Sequence, residues 1–181
     1  MKKIILTSAI IFATIVGAFA QVTPTAAVNL NVKLNAIQSI TTSATAVDLV
    51  YNTIEDYNLG VKSNLANHLT VYSTGGFIVK VKSSVENLKA NKGTEEIESS
   101  GIIITASGGA TTLSPIYTPV NLGTTSSELI STTKGGISEK FNIEYKAKGG
   151  NAYVDKFFKG TGASSDATIY STVVTYSIEA I

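Results

Sequence analysis

Apolar and polar side chains alternate along this chain with a period of two, and that pattern constrains the fold more than any other feature. In VNLNVKLNA, residues 28–36, Val28, Leu30, Val32, Leu34 and Ala36 fall on one side of an extended backbone. Asn29, Asn31, Lys33 and Asn35 fall on the other. Side chains on a strand point to opposite faces in turn, so this stretch reads as a strand with one oily face. The same alternation returns three more times, and between the runs lie glycine-rich breaks, with 15 Gly and only 3 Pro in the chain. Residues that favour strands, Val, Ile, Thr and Tyr, dominate these runs, and no helical period extends beyond a turn or two.

The central run is NHLTVYSTGGFIVKVKSS. Leu69 and Val71 alternate with Thr70 and Tyr72, and Phe77, Val79 and Val81 alternate with Lys80 and Lys82. Gly75-Gly76 between them predicts a hairpin closed by a tight turn with positive φ. GGISEKFNIEYKAKGG places Phe141, Ile143, Tyr145 and Ala147 inward. The closing IYSTVVTYSIEAI puts Tyr170, Val174, Tyr176, Ile178 and Ala180 on one face. AVDLVYNT offers Val47, Leu49 and Tyr51 as a further strand, with EDYNLG as a turn after it. GIIITASGG is a short buried strand, and LSPIYTPVNLGTTSSELIST, with two prolines, reads as edge strand or ordered loop. VENLKANKGTEEIESSG reads as a long polar loop with at most one helical turn. NAYVDKFFKGTGASSDAT is a strand or short helix that ends in a loop. About seven to nine short strands separated by turns predict an all-β fold, an antiparallel immunoglobulin-like β-sandwich, with a closed barrel as the alternative.

The first twenty residues, MKKIILTSAIIFATIVGAFA, have the parts of a secretory signal. Lys2 and Lys3 precede an apolar run, and Ala18-Phe19-Ala20 is a small-x-small cleavage site. The run is short for a bilayer span, which needs about 20 apolar residues. A retained anchor is the alternative. Cleavage gives three parts: signal peptide 1–20, an N-terminal arm or first strand 21–36, and a sandwich domain 37–181. No membrane span is then expected, and the exported chain would pass through the periplasm to the cell surface or the medium.

Composition excludes several chemistries. All 14 basic residues are Lys, and without Lys2 and Lys3 the chain carries 12 Lys against 13 acids, a formal charge of −1. A neutral, arginine-free chain is poorly suited to nucleic acid or phosphate. There is no Cys, which removes disulfide staples, thiol catalysis and zinc–sulfur sites. His68 is the one histidine, and a lone histidine without convergent ligands reads as structural or solvated. Glu95, Glu96 and Glu98 match no calcium-loop spacing and read as solvated charge. No catalytic or cofactor residues are assigned, and an enzyme is not expected. Tyr72, Tyr117 and Tyr153 remain as candidates for an aromatic surface that would suit sugar.

The arm VNLNVKLNAIQSI, the following AVDLVYNT and the terminal STVVTYSIEAI together resemble secreted pilin subunits of the chaperone–usher class, in the order found in the spore coat U-like branch and related small secreted families. Spore coat U-like subunits usually carry a cysteine pair between the first strand and the central hairpin; here Ile37 and Tyr72 lie near those places. The resemblance implies a sandwich that lacks one strand and leaves an oily groove. A periplasmic chaperone would fill that groove first, and an outer-membrane usher would then guide the arm of the next subunit into it. Val28, Leu30, Val32, Leu34 and Ala36 would form the assembly strand, and Val174, Tyr176, Ile178 and Ala180 the final strand. The implied function is a structural subunit of an adhesive fibre or coat. Two alternatives stand beside it: residues 26–40 complete the chain's own sandwich, or the protein is a monomeric module that binds envelope glycan.

Overall fold

The computed structural model describes residues 24–158 and 167–181. The signal segment 1–20 lies outside the described residues, as does most of the loop expected after Phe158. The chain divides into two units, residues 1–34 and 35–181. In the first unit the described residues belong to no strand ladder.

The second unit is all-β and antiparallel. Its strands are β1 (Gln38–Thr42), β2 (Lys62–Ser73), β3 (Phe77–Ser83), β4 (Asn87–Lys89), β5 (Glu96–Glu98), β6 (Ile102–Gly108), β7 (Ile116–Tyr117), β8 (Val120–Asn121), β9 (Ser127–Thr132), β10 (Gly136–Ala147) and β11 (Val174–Ala180). One helical turn, α1 (Ile54–Leu59), precedes β2. A five-stranded sheet in the order β1-β2-β10-β6-β8 packs on a four-stranded sheet in the order β11-β3-β9-β7; β4 and β5 form a separate hairpin. Leu69, Val71 and Phe141 of the first sheet and Phe77, Val79, Val81 and Ile130 of the second meet in one core. Phe77 and Tyr117 each stack edge-on against Phe141 at 6.4 Å.

The expected central hairpin is not one. β2 and β3 belong to different sheets, so Leu69 and Phe77 face each other across the core rather than lie side by side. Period-two patterning is the same in both cases, which is why the sequence could not separate them. A step between sheets needs no mirror-image turn, and neither Gly75 nor Gly76 has positive φ; the left-handed glycines among the described residues are Gly60, Gly93 and Gly150. Gly76 is required for a different reason. A Cβ there would lie 3.0 Å from the Thr132 carbonyl oxygen and 3.0 Å from the Ile181 side chain.

Three further segments differ from expectation. Residues 46–53 form no strand, although Val47 and Leu49 still pack half-buried on the core. EDYNLG is not a simple turn but lies within α1, started by a capping box in which the Thr53 hydroxyl accepts from the Asp56 amide and Asp56 accepts from the Thr53 amide. The Asn52 and Thr53 amides, both donating to Asp56 Oδ2, hold the Asp56 carboxyl below its ordinary range. The polar loop 85–101 contains the β4–β5 hairpin, turned at Gly93 with φ 82°. Tyr72 pairs with Ser39, while Ile37 bonds Thr74, so the two residues expected at the missing cysteine positions are not partners.

One flank of the sandwich is closed by the chain itself. From β7 the backbone crosses through Thr118 and Pro119 into β8 of the other sheet, then returns. The Thr118 amide donates to Leu129, Leu122 to Ile102, and Ser83 to Gly123. Val120 and Leu122 are buried by this wrap.

Candidate assembly edge

The opposite flank carries the longer edge strands, five residues in β1 and seven in β11. Among the described residues β11 pairs only with β3, in continuous register from Val174 opposite Ser83 to Ala180 opposite Phe77. β1 pairs only with β2. Inward residues here are half-buried, not buried: Ile40 on β1, Val47 and Leu49 on the segment after it, and Val174, Tyr176 and Ile178 on β11. An apolar seam therefore runs between β1 and β11, beside a strand with unpaired backbone groups on its outer side. Such an edge is a template for another strand. Of the expected final-strand residues, Val174, Tyr176 and Ile178 share the inward face and Ala180 is exposed; Tyr170, expected on the same face, lies outside β11, where it bridges Ala90 and its hydroxyl donates to the Lys156 carbonyl.

A polar chain lies under this seam. Asn67 has φ 52°, a conformation that asparagine tolerates better than most residues. It is fixed by its amide donating to Asn142 Oδ1 at 2.8 Å and its Oδ1 accepting from the Ala110 amide at 2.8 Å. The resulting irregularity in the β2–β10 register turns His68 inward, the re-aiming that bulges provide. His68 is 2 % exposed. Its Nδ1 lies 3.2 Å from Ser43 Oγ, its Nε2 lies 3.1 Å from the Tyr145 hydroxyl, and Tyr145 lies 2.7 Å from the Tyr176 hydroxyl. Burial holds His68 below its ordinary pKa and raises both tyrosines. The sequence hid this chain because His68 falls out of the alternating pattern. Tyr145 and Tyr176, two hydroxyls on otherwise apolar inward faces, were the available signal.

Of the expected assembly strand, Val28, Leu30, Val32 and Leu34 fall in the first unit and Ala36 in the second. Val28, Leu30, Val32 and Leu34 alternate as the sequence implies but are 77–90 % exposed and belong to no ladder; Ala36 is exposed as well. Tyr72, Tyr117 and Tyr153 do not converge. Tyr72 lies in β2 beside β1, Tyr117 packs on Phe141, and Tyr153 packs on Tyr51 at 5.4 Å. Glu95 pairs with Lys156 and Glu96 with Lys89, while Glu98 accepts from Ser100. Among the described residues no group of three or more potential metal ligands gathers, and no helix is long and apolar enough to cross a membrane. The chain matches no family model and no curated protein.

Proposed function

We propose that the protein is an exported, non-catalytic structural subunit that assembles into a surface fibre or coat by strand donation, residues 28–36 of one copy adding to the free edge of β11 in the next. One observation carries the reading: β11 offers an unpaired edge above a half-buried apolar seam on an otherwise well-packed sandwich. The arm has matching chemistry. It is nine residues of strict alternation whose large apolar side chains are exposed, against a seven-residue strand. In β-augmentation the backbone ladder supplies affinity and alternate side chains set register. Burying Val28, Leu30, Val32 and Leu34 would contribute an upper bound of roughly 6–12 kcal/mol before ordering costs. The immunoglobulin-like, strand-deficient reading, the periplasmic chaperone and the outer-membrane usher belong to the same proposal. They account for how an oily edge and an oily arm avoid each other before assembly.

Deletion of residues 21–36 tests it. The shortened protein is expected to stay monomeric, and a peptide of residues 26–36 to bind it and raise its melting temperature by linkage. The same peptide with Leu30→Asp and Val32→Asp is expected to fail, because unpaired charge would enter an apolar seam. Equal binding of both peptides, or of neither, would refute a sequence-specific donor strand.

A further inference from the structure

The four groups Ser43, His68, Tyr145 and Tyr176 tie three elements together across the sandwich edge: β2 and β10 in one sheet and β11 in the other. Their hydrogen bonds have one direction that leaves only the proton of the exposed Ser43 hydroxyl to solvent. If neutral His68 carries its proton on Nδ1, that proton goes to Ser43, Nε2 accepts from Tyr145, and the Tyr145 oxygen accepts from Tyr176. In the reverse direction the Tyr176 proton has no acceptor, since its hydroxyl is bonded only to Tyr145 among the described residues. A buried donor left unmade is costly. Protonation of His68 enforces the reverse direction on the tyrosine side, because Nε2 then donates to Tyr145 while Nδ1 still donates to Ser43.

We propose that these four groups form a proton-sensitive latch, which holds β11 to the five-stranded sheet while His68 is neutral and releases it when His68 takes a proton. Among the described residues no carboxylate bonds the ring, whose two nitrogens face Ser43 and Tyr145. Tyr145 from β10 and Tyr176 from β11 are the titratable groups that face the ring, at centroid distances of 5.9 and 6.3 Å. β1 has no charged residue, and Asp48, the acid on the segment after it, is exposed. Lys62 of β2 pairs with Glu144 of β10 on the outer face, and Glu179 of β11 pairs with Lys80. Glu139 of β10 is bound by Thr111 and Thr112, while Lys140 and Lys146 alternate with the inward residues of β10. The burial that lowers the pKa of His68 sets the sign: the latch is intact above the ordinary histidine value of about 6.5 and is lost as pH falls through the lower folded value.

For assembly, and resting on the strand-donation reading, the latch makes arm capture by β11 weaker in acid. By reciprocity, capture would shift the His68 midpoint further down.

The chain's single histidine makes the test direct. Imidazole nitrogen NMR of the protein at pH 7.5 is expected to show the Nδ1–H tautomer, the less common one in solution. Amide exchange in β11, corrected for its intrinsic pH dependence, is expected to rise about tenfold per pH unit between the ordinary and the folded midpoint, while β6 stays protected. Tyr176→Phe keeps the ring packed but removes the terminal donor, so the tautomer preference should weaken and the pH response of β11 should flatten. The Nε2–H tautomer, or exchange in β11 that ignores the His68 titration, would overturn the latch. So would β11 and β6 opening together. Sedimentation at pH 7.5 and 5.0 separates the two proposals: a latch seen by NMR in a protein that is monomeric at both values retires strand donation and leaves the latch standing.

Discussion

The two flanks of the sandwich are finished in different ways. At β7 and β8 the strands are two residues each, and the chain wraps between the sheets to bury Val120 and Leu122. At β1 and β11 the strands are longer, and Val174, Tyr176 and Ile178 are half-buried, as are Val47 and Leu49 on the segment after β1. Each flank also has a buried polar tie, but of opposite kind. Glu139 fixes the loop that carries the chain from β6 to β7: it accepts from the Thr111 hydroxyl at 2.5 Å and from the Thr112 amide at 2.8 Å. Burial opposes its charge, yet these bonds outweigh burial and hold its pKa below the usual carboxylate value. The other flank uses the neutral chain from Ser43 to Tyr176. A charged tie suits a permanent closure, whereas a neutral one leaves an edge that another strand can approach without meeting buried charge.

If the closed flank is core and the open flank is seam, truncations should cost unequally. Phe141→Ala, at the centre of the core, is expected to destabilise the protein by about 3–5 kcal/mol. Leu122→Ala under the wrap should cost about 2–5 kcal/mol and Ile178→Ala at the seam about half as much, measured by denaturant unfolding of the monomer. Equal costs for Leu122→Ala and Ile178→Ala would erase the distinction between the flanks.

The step between β2 and β3 sharpens the same point through two adjacent glycines. Gly76→Val is expected to cost about 1–3 kcal/mol by crowding Thr132 and Ile181. Gly75→Ala, with nothing within 4 Å of the added atom and no positive φ, should change stability by less than about 0.5 kcal/mol. A large effect at Gly75 would indicate a conformational demand absent from the step described above.

These glycines also mark what was legible in the sequence. The alternation in residues 69–81 and 141–147 correctly separated inward from outward residues, because each face must be apolar where it meets the core. Alternation carries no information about which strands are neighbours, so β2 and β3 read as a hairpin although they lie in opposite sheets. Short elements held by a few hydrogen bonds were harder to read. α1 depends on the Thr53–Asp56 capping box, and β4–β5 on one left-handed Gly93. At the candidate site, Val174, Tyr176 and Ile178 were readable as the inward face of β11, whereas Ala180 is exposed and Tyr170 lies outside the strand. His68 was not readable, because the bulge at Asn67, bound to Asn142 and Ala110, is a long-range feature.

Acid titration distinguishes the two polar ties, the smallest effect of the series. Glu139 has a lowered folded pKa, so its contribution is complete above the unfolded value of about 4.3 and is lost as pH falls through the folded one. Glu139→Gln should remove that dependence and leave the step that belongs to His68, which lies below its ordinary value of about 6.5. A variant that loses both steps together would show that the flanks do not titrate independently.

The central claim is that the exposed arm of one copy completes the open edge of another. Cysteines introduced at Leu30→Cys and at Val174→Cys, Tyr176→Cys or Ile178→Cys, one pair per variant, give a direct readout because the native chain has none to interfere. Oxidation of material sheared from cells, followed by non-reducing electrophoresis, is expected to yield ladders of disulfide-linked copies for at least one of the three pairs, and single-cysteine controls are expected to yield none. Crosslinks confined to single chains, with monomers and no fibres, would contradict the account.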